Sequence, residues 1–185
     1  APWLHLLDYG YMPETKAEIL PEAYMIQEPW TKLLRSSLKH PNGRNWLTCL
    51  QLSVIEMEQG NYQESDTMAK DSITMSPNPL AYYNLALLAK QQKDREAFET
   101  YSKKALDLFT GDALVAASTQ YFRYLLSMNE YEQIWIRYQK LPDWMKEDER
   151  LYLVAVAAAV NSGTADVGVG VYSSAKTMGL DFILI

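Results

Sequence analysis

Apolar side chains recur along most of the chain at the spacing of amphipathic helices. Between residues 80 and 90, one stripe of the predicted helix consists of Tyr82, Leu85, Ala86 and Ala89. The segment that follows carries a similar stripe of Phe98, Tyr101, Ala105 and Leu108. Steps of three and four residues place side chains on one face of an α-helix. The pattern therefore predicts an all-α protein in which helices pack in antiparallel pairs.

The helical pattern also repeats along the chain. Sliding the sequence against itself by 33 positions aligns nine like residues in one register, from Leu52 on Leu85 to Met75 on Leu108. The turn that ends the first helix of each pair recurs at spacings of 33, 36 and 34, at Gly60, Lys93, Asn129 and Gly163. This is the period of a helix-turn-helix solenoid. Because one pair cannot bury both of its stripes, each pair must stack on the next.

The repeated residues resemble the tetratricopeptide repeat family. Its aromatic, leucine and small-residue start is matched by residues 81–86, and its late Ala-Leu by Ala105 and Leu106. The other units match through the turn at Gly60-Asn61-Tyr62, the closing Ser76-Pro77-Asn78, the third-unit Tyr131, Ile134 and Tyr138, and the fourth-unit Tyr152, Gly163, Tyr172 and Ala175. The resemblance implies a right-handed α-solenoid of antiparallel helix pairs, with about four to five units.

The expected organisation has two parts. Residues 1–28 form an irregular, partly helical amino-terminal region, because Pro13 and Pro21 interrupt any helix after the short one expected at Trp3–Asp8. Residues 29–185 form the repeat domain. Its units are expected at about residues 46–78, 79–112, 115–145 and 149–178, preceded by a partial unit at 30–40 that supplies one helix.

A looser resemblance points to a larger protein. Trp46, residues 58–62, residues 84–86, Leu141-Pro142 and residues 179–182 are similar to the carboxyl-terminal helical part of large bacterial proteins of unknown function. Those proteins carry a mutarotase-like β-sandwich in front, which implies carbohydrate chemistry outside this chain. The chain begins at Ala1 and stops inside an apolar stretch. We therefore expect a fragment of a longer protein or a processed chain.

Composition excludes several classes of function. Lys and Arg number 17 against 23 Asp and Glu, so the formal charge of −6 is opposite to that of a nucleic-acid binder. The longest apolar run, Leu151–Val160, is half the roughly 20 residues of a membrane-spanning helix. One cysteine and two histidines cannot build a disulfide framework or a structural zinc site. No metal, cofactor or membrane insertion is expected, and the compartment stays open with the cytoplasm favoured.

Two side chains raise the question of chemistry. Cys49 with His40 is the one nucleophile pairing to consider, but Cys49 falls on the packing face of its helix, where a thiol acts as a small hydrophobe. Glu56 occupies a position that is Ala or Leu in the other units. Either the register slips by one residue there, which we favour, or Glu56 is a partly buried acid with a raised pKa. We therefore expect no enzyme activity in this chain.

What remains is the concave wall formed by the first helix of each unit. The register places these residues along it: Leu50, Val54, Met57, Tyr83, Asn84, Leu87, Lys90, Gln91, Thr119, Gln120 and Arg123. Such a wall, apolar at one end and cationic at the other, suits a peptide or partner helix. Family members that clamp a peptide carboxyl terminus do so with paired lysines, asparagines and an arginine. Of these residues, this chain has only an asparagine, Asn84, at a matching position.

The predicted function is a non-catalytic scaffold that binds a protein or peptide partner in this groove. An alternative occupant of the wall is the rest of a larger chain. The alternative function is a structural carboxyl-terminal domain of a multidomain bacterial enzyme that acts on carbohydrate.

Overall fold

The computed structural model describes residues 2–21, 23–165 and Lys176, and over these residues the chain is helical without a β-strand. The helices are α1 (Pro2–Tyr9), α2 (Glu28–Ser37), α3 (Trp46–Glu58), α4 (Tyr62–Met75), α5 (Pro79–Gln91), α6 (Arg95–Leu108), α7 (Gly111–Ser127), α8 (Tyr131–Gln139), α9 (Asp143–Lys146) and α10 (Glu149–Asn161). The predicted all-α fold of adjacent helix pairs is confirmed. The second helix expected for the fourth unit, with Tyr172 and Ala175, lies outside the described residues.

The four predicted turn positions share one conformation. Gly60, Lys93, Asn129 and Gly163 all have a left-handed backbone, with φ of 79°, 59°, 59° and 71°. Each ends the first helix of a pair with the same two hydrogen bonds. At the first turn, the Gly60 N–H donates to the Met57 carbonyl at 3.0 Å and the Asn61 N–H to the Glu56 carbonyl at 2.8 Å. This is the Schellman motif, which satisfies carbonyls at a helix end. The predicted turns are confirmed.

The described chain divides into two compact units, residues 1–108 and 109–185. In the first unit α3 packs on α4, α5 packs on α6, and α4 and α5 join the two pairs. In the second unit α10 packs against both α7 and α8, and α8 ends at Gln139, shortly before Pro142. The repeat boundaries given above stay a prediction.

The amino-terminal region holds two helices separated by irregular chain. The short helix expected at Trp3–Asp8 lies within α1, and Pro29 sits in the first turn of α2, where its missing N–H costs nothing. Residues 10–21 and 23–27, here called the connecting segment, form neither helix nor strand. The core of the first unit includes Trp3, Leu6 and Met12 from this region together with Trp46 and Leu50 of α3. These three side chains of the amino-terminal region therefore belong to the core of the first unit.

Candidate binding surface

Helix α3 is buried on nearly all sides. Its Leu50 has no exposed surface, while Val54 and Met57 are half-buried. A solenoid helix that lined an open groove would expose one face to solvent. Of the side that the register assigned to the groove, Leu50 is therefore covered, while Val54 and Met57 keep part of their surface exposed.

Both α2 and the connecting segment lie against α3. Three side chains of α3 and its cap donate hydrogen bonds to main-chain carbonyls of this segment. Asn45 Nδ2 binds the Met12 carbonyl at 2.8 Å, Trp46 Nε1 the Thr15 carbonyl at 2.7 Å, and Gln51 Nε2 the Ala23 carbonyl at 3.3 Å. Trp3 Nε1 also donates to the Ala23 carbonyl, at 3.1 Å. Sequence periodicity gave no sign of these bonds, because they join residues that are 20 to 33 positions apart.

Apolar contacts accompany these hydrogen bonds. Met12 is buried in the same cluster as Trp46 and Leu50, and Ala17 and Met25 pack against that cluster. The structure thus places Leu50 in the core of the first unit. Leu50 has no exposed surface for a partner, which departs from the groove position that the repeat register gave it.

Helix α5 keeps a more open face. Tyr83 and Leu87 are half-buried, and Lys90 and Gln91 are exposed. Burial raises the pKa of the Tyr83 hydroxyl above its ordinary value. Half-buried Met57 of α3 packs against Leu85 and Leu88 of α5, which makes the two helices neighbours. These residues form a mixed apolar and polar surface within the first unit.

The helix pair that carries this face matches a known family. Residues 80–110 match the family model of the tetratricopeptide repeat. This chain contains a tetratricopeptide repeat. The matched residues include nearly all of α5 and the whole of α6. Searches of curated proteins and of solved structures gave no match. The tetratricopeptide repeat family consists in general of non-catalytic protein-interaction modules. The resemblance to the bacterial proteins with a mutarotase-like front stays a prediction.

Within the tetratricopeptide repeat, Asn84 has a structural role. The side chain is buried, and its Nδ2 donates to Ser53 Oγ at 2.9 Å and to Ser65 Oγ at 3.3 Å. Ser65 Oγ in turn donates to the Ser53 carbonyl at 2.6 Å. Asn84 therefore ties α5 to both α3 and α4 instead of facing the groove as the register suggested.

Replacing Asn84 with alanine is expected to lower the free energy of unfolding by about 2 kcal/mol, because two buried hydroxyls lose a donor and a small cavity remains. Urea unfolding followed by circular dichroism measures the change. The matched control is Asn42→Ala, an exposed asparagine whose loss should change stability by less than about 0.5 kcal/mol. Equal stabilities of the two variants would contradict the structural role of Asn84.

The second unit carries the remaining predicted groove residues on α7. Gln120 and Arg123 are exposed, whereas Thr119 is buried and donates its hydroxyl to the Val115 carbonyl at 2.8 Å. Thr119 therefore serves the helix itself. That Gln120 and Arg123 continue the wall of the tetratricopeptide repeat stays a prediction.

Glu56 is a buried acid with partners, so the favoured register slip was wrong. Its Oε1 accepts hydrogen bonds from Arg35 Nη2 at 2.5 Å and Nε at 3.1 Å, and its Oε2 accepts one from Asn61 Nδ2 at 2.8 Å. The carboxylate lies at a cleft of about 450 Å³ whose lining also includes Leu38, Leu52, Glu64 and Met68. The Arg35 guanidinium of α2 therefore offsets the negative charge of the Glu56 carboxylate, which the repeat register places inside the fold.

Cys49 is a packing residue, as expected. Its side chain is fully buried, and burial raises the pKa of the thiol to about 11. At neutral pH almost no thiolate forms, and the thiolate is the nucleophile. His40, the other half of the candidate dyad, stacks on Tyr11 with ring centroids 4.4 Å apart. Its Nδ1 accepts a hydrogen bond from the Asn42 N–H at 3.1 Å. Nothing here activates a nucleophile.

A search of the described part of the chain for metal ligands found no group of three or more His, Cys, Asp or Glu side chains that could hold an ion. In the same residues, no helix combines the length and apolar character needed to cross a membrane.

Proposed function

We propose that the chain is a non-catalytic interaction module that binds an extended peptide of a partner protein across α3 and α5. The observation that carries the proposal is the face of the tetratricopeptide repeat formed by Tyr83, Leu87, Lys90 and Gln91. This face remains accessible while the opposite stripe of α5 is buried. The proposed surface also includes Val54 and Met57, which are half-buried in the last turns of α3. We call this set the α5 face.

The chemistry of the α5 face selects the class of ligand. Tyr83, Leu87 and Met57 offer half-buried apolar surface, which rewards burial of apolar peptide side chains. Exposed Lys90 and Gln91 stand at the carboxyl end of α5, where a cation and an amide can bind a carboxylate and a peptide main chain. The preferred ligand is therefore an extended peptide with apolar side chains and an acidic group near Lys90.

The test is selection from a displayed library of random 12-residue peptides, followed by fluorescence anisotropy of the enriched peptides. Lys90→Ala and Tyr83→Ala should each weaken binding about tenfold or more, because a few central anchors dominate such interfaces. The matched control is Lys103→Ala, an exposed lysine of α6, which should bind like the unaltered chain. Melting temperatures should change little in all three variants.

Two results would contradict the proposal: no peptide is enriched, or Lys90→Ala and Lys103→Ala bind equally well. Gln120 and Arg123 are proposed as a separate candidate surface of the second unit. Arg123→Ala, measured on the same peptides, shows whether α7 contributes to binding.

A further inference from the structure

The connecting segment depends on other parts of the first unit for its conformation. Among its described residues, one backbone hydrogen bond lies within the segment, and it joins the Ile19 N–H to the Lys16 carbonyl at 3.0 Å. A segment with so few local bonds is held in place by what it lies against. The partners include Trp3 of α1, the α3 cap Asn45, and Trp46 and Gln51 of α3. The segment is also held by His5 of α1 at the Tyr11 carbonyl, by Thr31 of α2 at the Ile26 carbonyl, and by the stack of Tyr11 on His40.

Helix α3 holds this segment by main-chain hydrogen bonds and apolar contacts, which are the contacts by which proteins bind extended peptides. The indole and amide groups donate to main-chain carbonyls at residues 12, 15 and 23, so they recognise the backbone and not particular side chains. Met12, Ala17 and Met25 supply the apolar contacts. Any extended peptide with small or flexible apolar side chains offers the same groups.

The fit between the segment and α3 is incomplete. In the described structure Gln51 Oε1 and Thr48 Oγ1 are buried without a hydrogen-bond partner, and the Gln51 bond to the Ala23 carbonyl is long at 3.3 Å. A buried acceptor without a donor is unfavourable. Ile19 stays 63% exposed, and an open cleft of about 1,020 Å³ runs beside residues 13–18. A peptide that places an N–H opposite Gln51 Oε1 would supply a hydrogen bond that the segment does not.

We propose that the connecting segment is an intramolecular occupant of a peptide-binding surface formed by Asn45, Trp46 and Gln51, and that an extended partner peptide displaces it. The proposal rests on the proposed function in that the same peptide continues onto the α5 face. In the closed state the partner reaches only the α5 face. When the segment is released, the partner also binds Asn45, Trp46 and Gln51, so its apparent affinity depends on how often the segment is released.

The first test uses the unaltered chain and a synthetic peptide of residues 10–27 with heavy isotopes, which mass spectrometry separates from the chain's own segment. Excess peptide should raise deuterium uptake in residues 10–27 of the chain and leave uptake in α4 and α6 unchanged. Unchanged uptake in the segment, with or without peptide binding elsewhere, would overturn the proposal.

The second test favours release of the connecting segment by making its backbone more flexible. Pro13→Gly together with Pro21→Gly increases the freedom of the released segment while keeping every α3 side chain that contacts it. This variant should bind the fluorescent 10–27 peptide about tenfold more tightly than the unaltered chain. The matched control is Pro77→Gly, an exposed proline in the turn between α4 and α5, which should bind like the unaltered chain.

The outcomes separate this inference from the proposed function. If the double proline variant binds the 10–27 peptide no better than Pro77→Gly, the segment is a fixed part of the fold and the inference is wrong. Library peptides that bind in a Lys90-dependent manner would still support the proposed function. If the 10–27 peptide displaces the segment but no library peptide needs Lys90, the inference stands and the proposed function fails.

Discussion

Gly43→Ala is expected to lower the free energy of unfolding by about 3 kcal/mol, more than a typical substitution in a turn. Gly43 is buried in the turn between α2 and α3 and does not have a positive φ. A Cβ atom built on it would lie 1.6 Å from the Ser37 carbonyl oxygen and 2.6 Å from the Ser37 carbonyl carbon. The obstacle is thus backbone, and no side chain can rotate to relieve it.

The turn has little freedom to move away. The Ser37 carbonyl accepts a hydrogen bond from the His40 N–H at 2.9 Å, and the His40 carbonyl accepts one from the Gly43 N–H at 2.9 Å. Shifting Ser37 would break these bonds and disturb the end of α2, whose Leu34 lies in the core. Urea unfolding followed by circular dichroism measures the loss.

The control for Gly43 is Gly60, which has space for a Cβ atom but a left-handed backbone. Gly60 has φ of 79°, and a Cβ atom there would meet nothing within 4 Å. Gly60→Ala should therefore cost about 1 kcal/mol, from the left-handed backbone alone. If the two alanine variants are equally stable, the close approach of Gly43 to Ser37 is not what this turn requires.

The second large effect is expected at Arg35. Arg35→Met should lower the free energy of unfolding by about 3 kcal/mol, because it leaves the Glu56 carboxylate inside without its cation. The Glu56 side chain is 5% exposed, whereas that of Arg35 is 49% exposed. The reverse change, Glu56→Gln, should cost only about 1 kcal/mol, since the amide oxygen still accepts a hydrogen bond and water can solvate the released guanidinium.

The asymmetry between the two variants is the test, and thermal and urea unfolding both measure it. The control is Lys32→Met on the same helix, whose ion pair with Glu28 has both side chains more than 70% exposed. Such pairs contribute about 0–1 kcal/mol. An Arg35→Met variant as stable as Lys32→Met would show that Glu56 does not need its partner.

The α-helical repeat could be predicted from the sequence because its signals are local. Apolar side chains three and four residues apart define the buried stripe of α5, with Leu85, Ala86 and Ala89 inside. The helix ends are equally local, since each turn depends on one residue that adopts a left-handed backbone. Glycine does this freely and asparagine more readily than most residues, whereas at Lys93 the spacing predicted what the residue type did not.

At Glu56 the repeat register was correct, but the interpretation of it as a register slip was wrong. The repeat register placed this acid inside, and that placement is confirmed. The interpretation failed because the partner that stabilises the carboxylate, Arg35, belongs to a helix 21 residues earlier. Ion pairing across that distance leaves no periodic trace in the sequence.

The helices, their pairing and the positions of the turns could be predicted from the sequence, because each depends on residues a few positions apart. Which part of the expected groove is accessible depends on how the chain packs in three dimensions. Leu50 is buried in the core of the first unit, Asn84 holds three helices together, and Tyr83, Lys90 and Gln91 remain near solvent. Periodicity could not show this, because such burial depends on contacts between side chains distant in sequence, and those contacts carry no period.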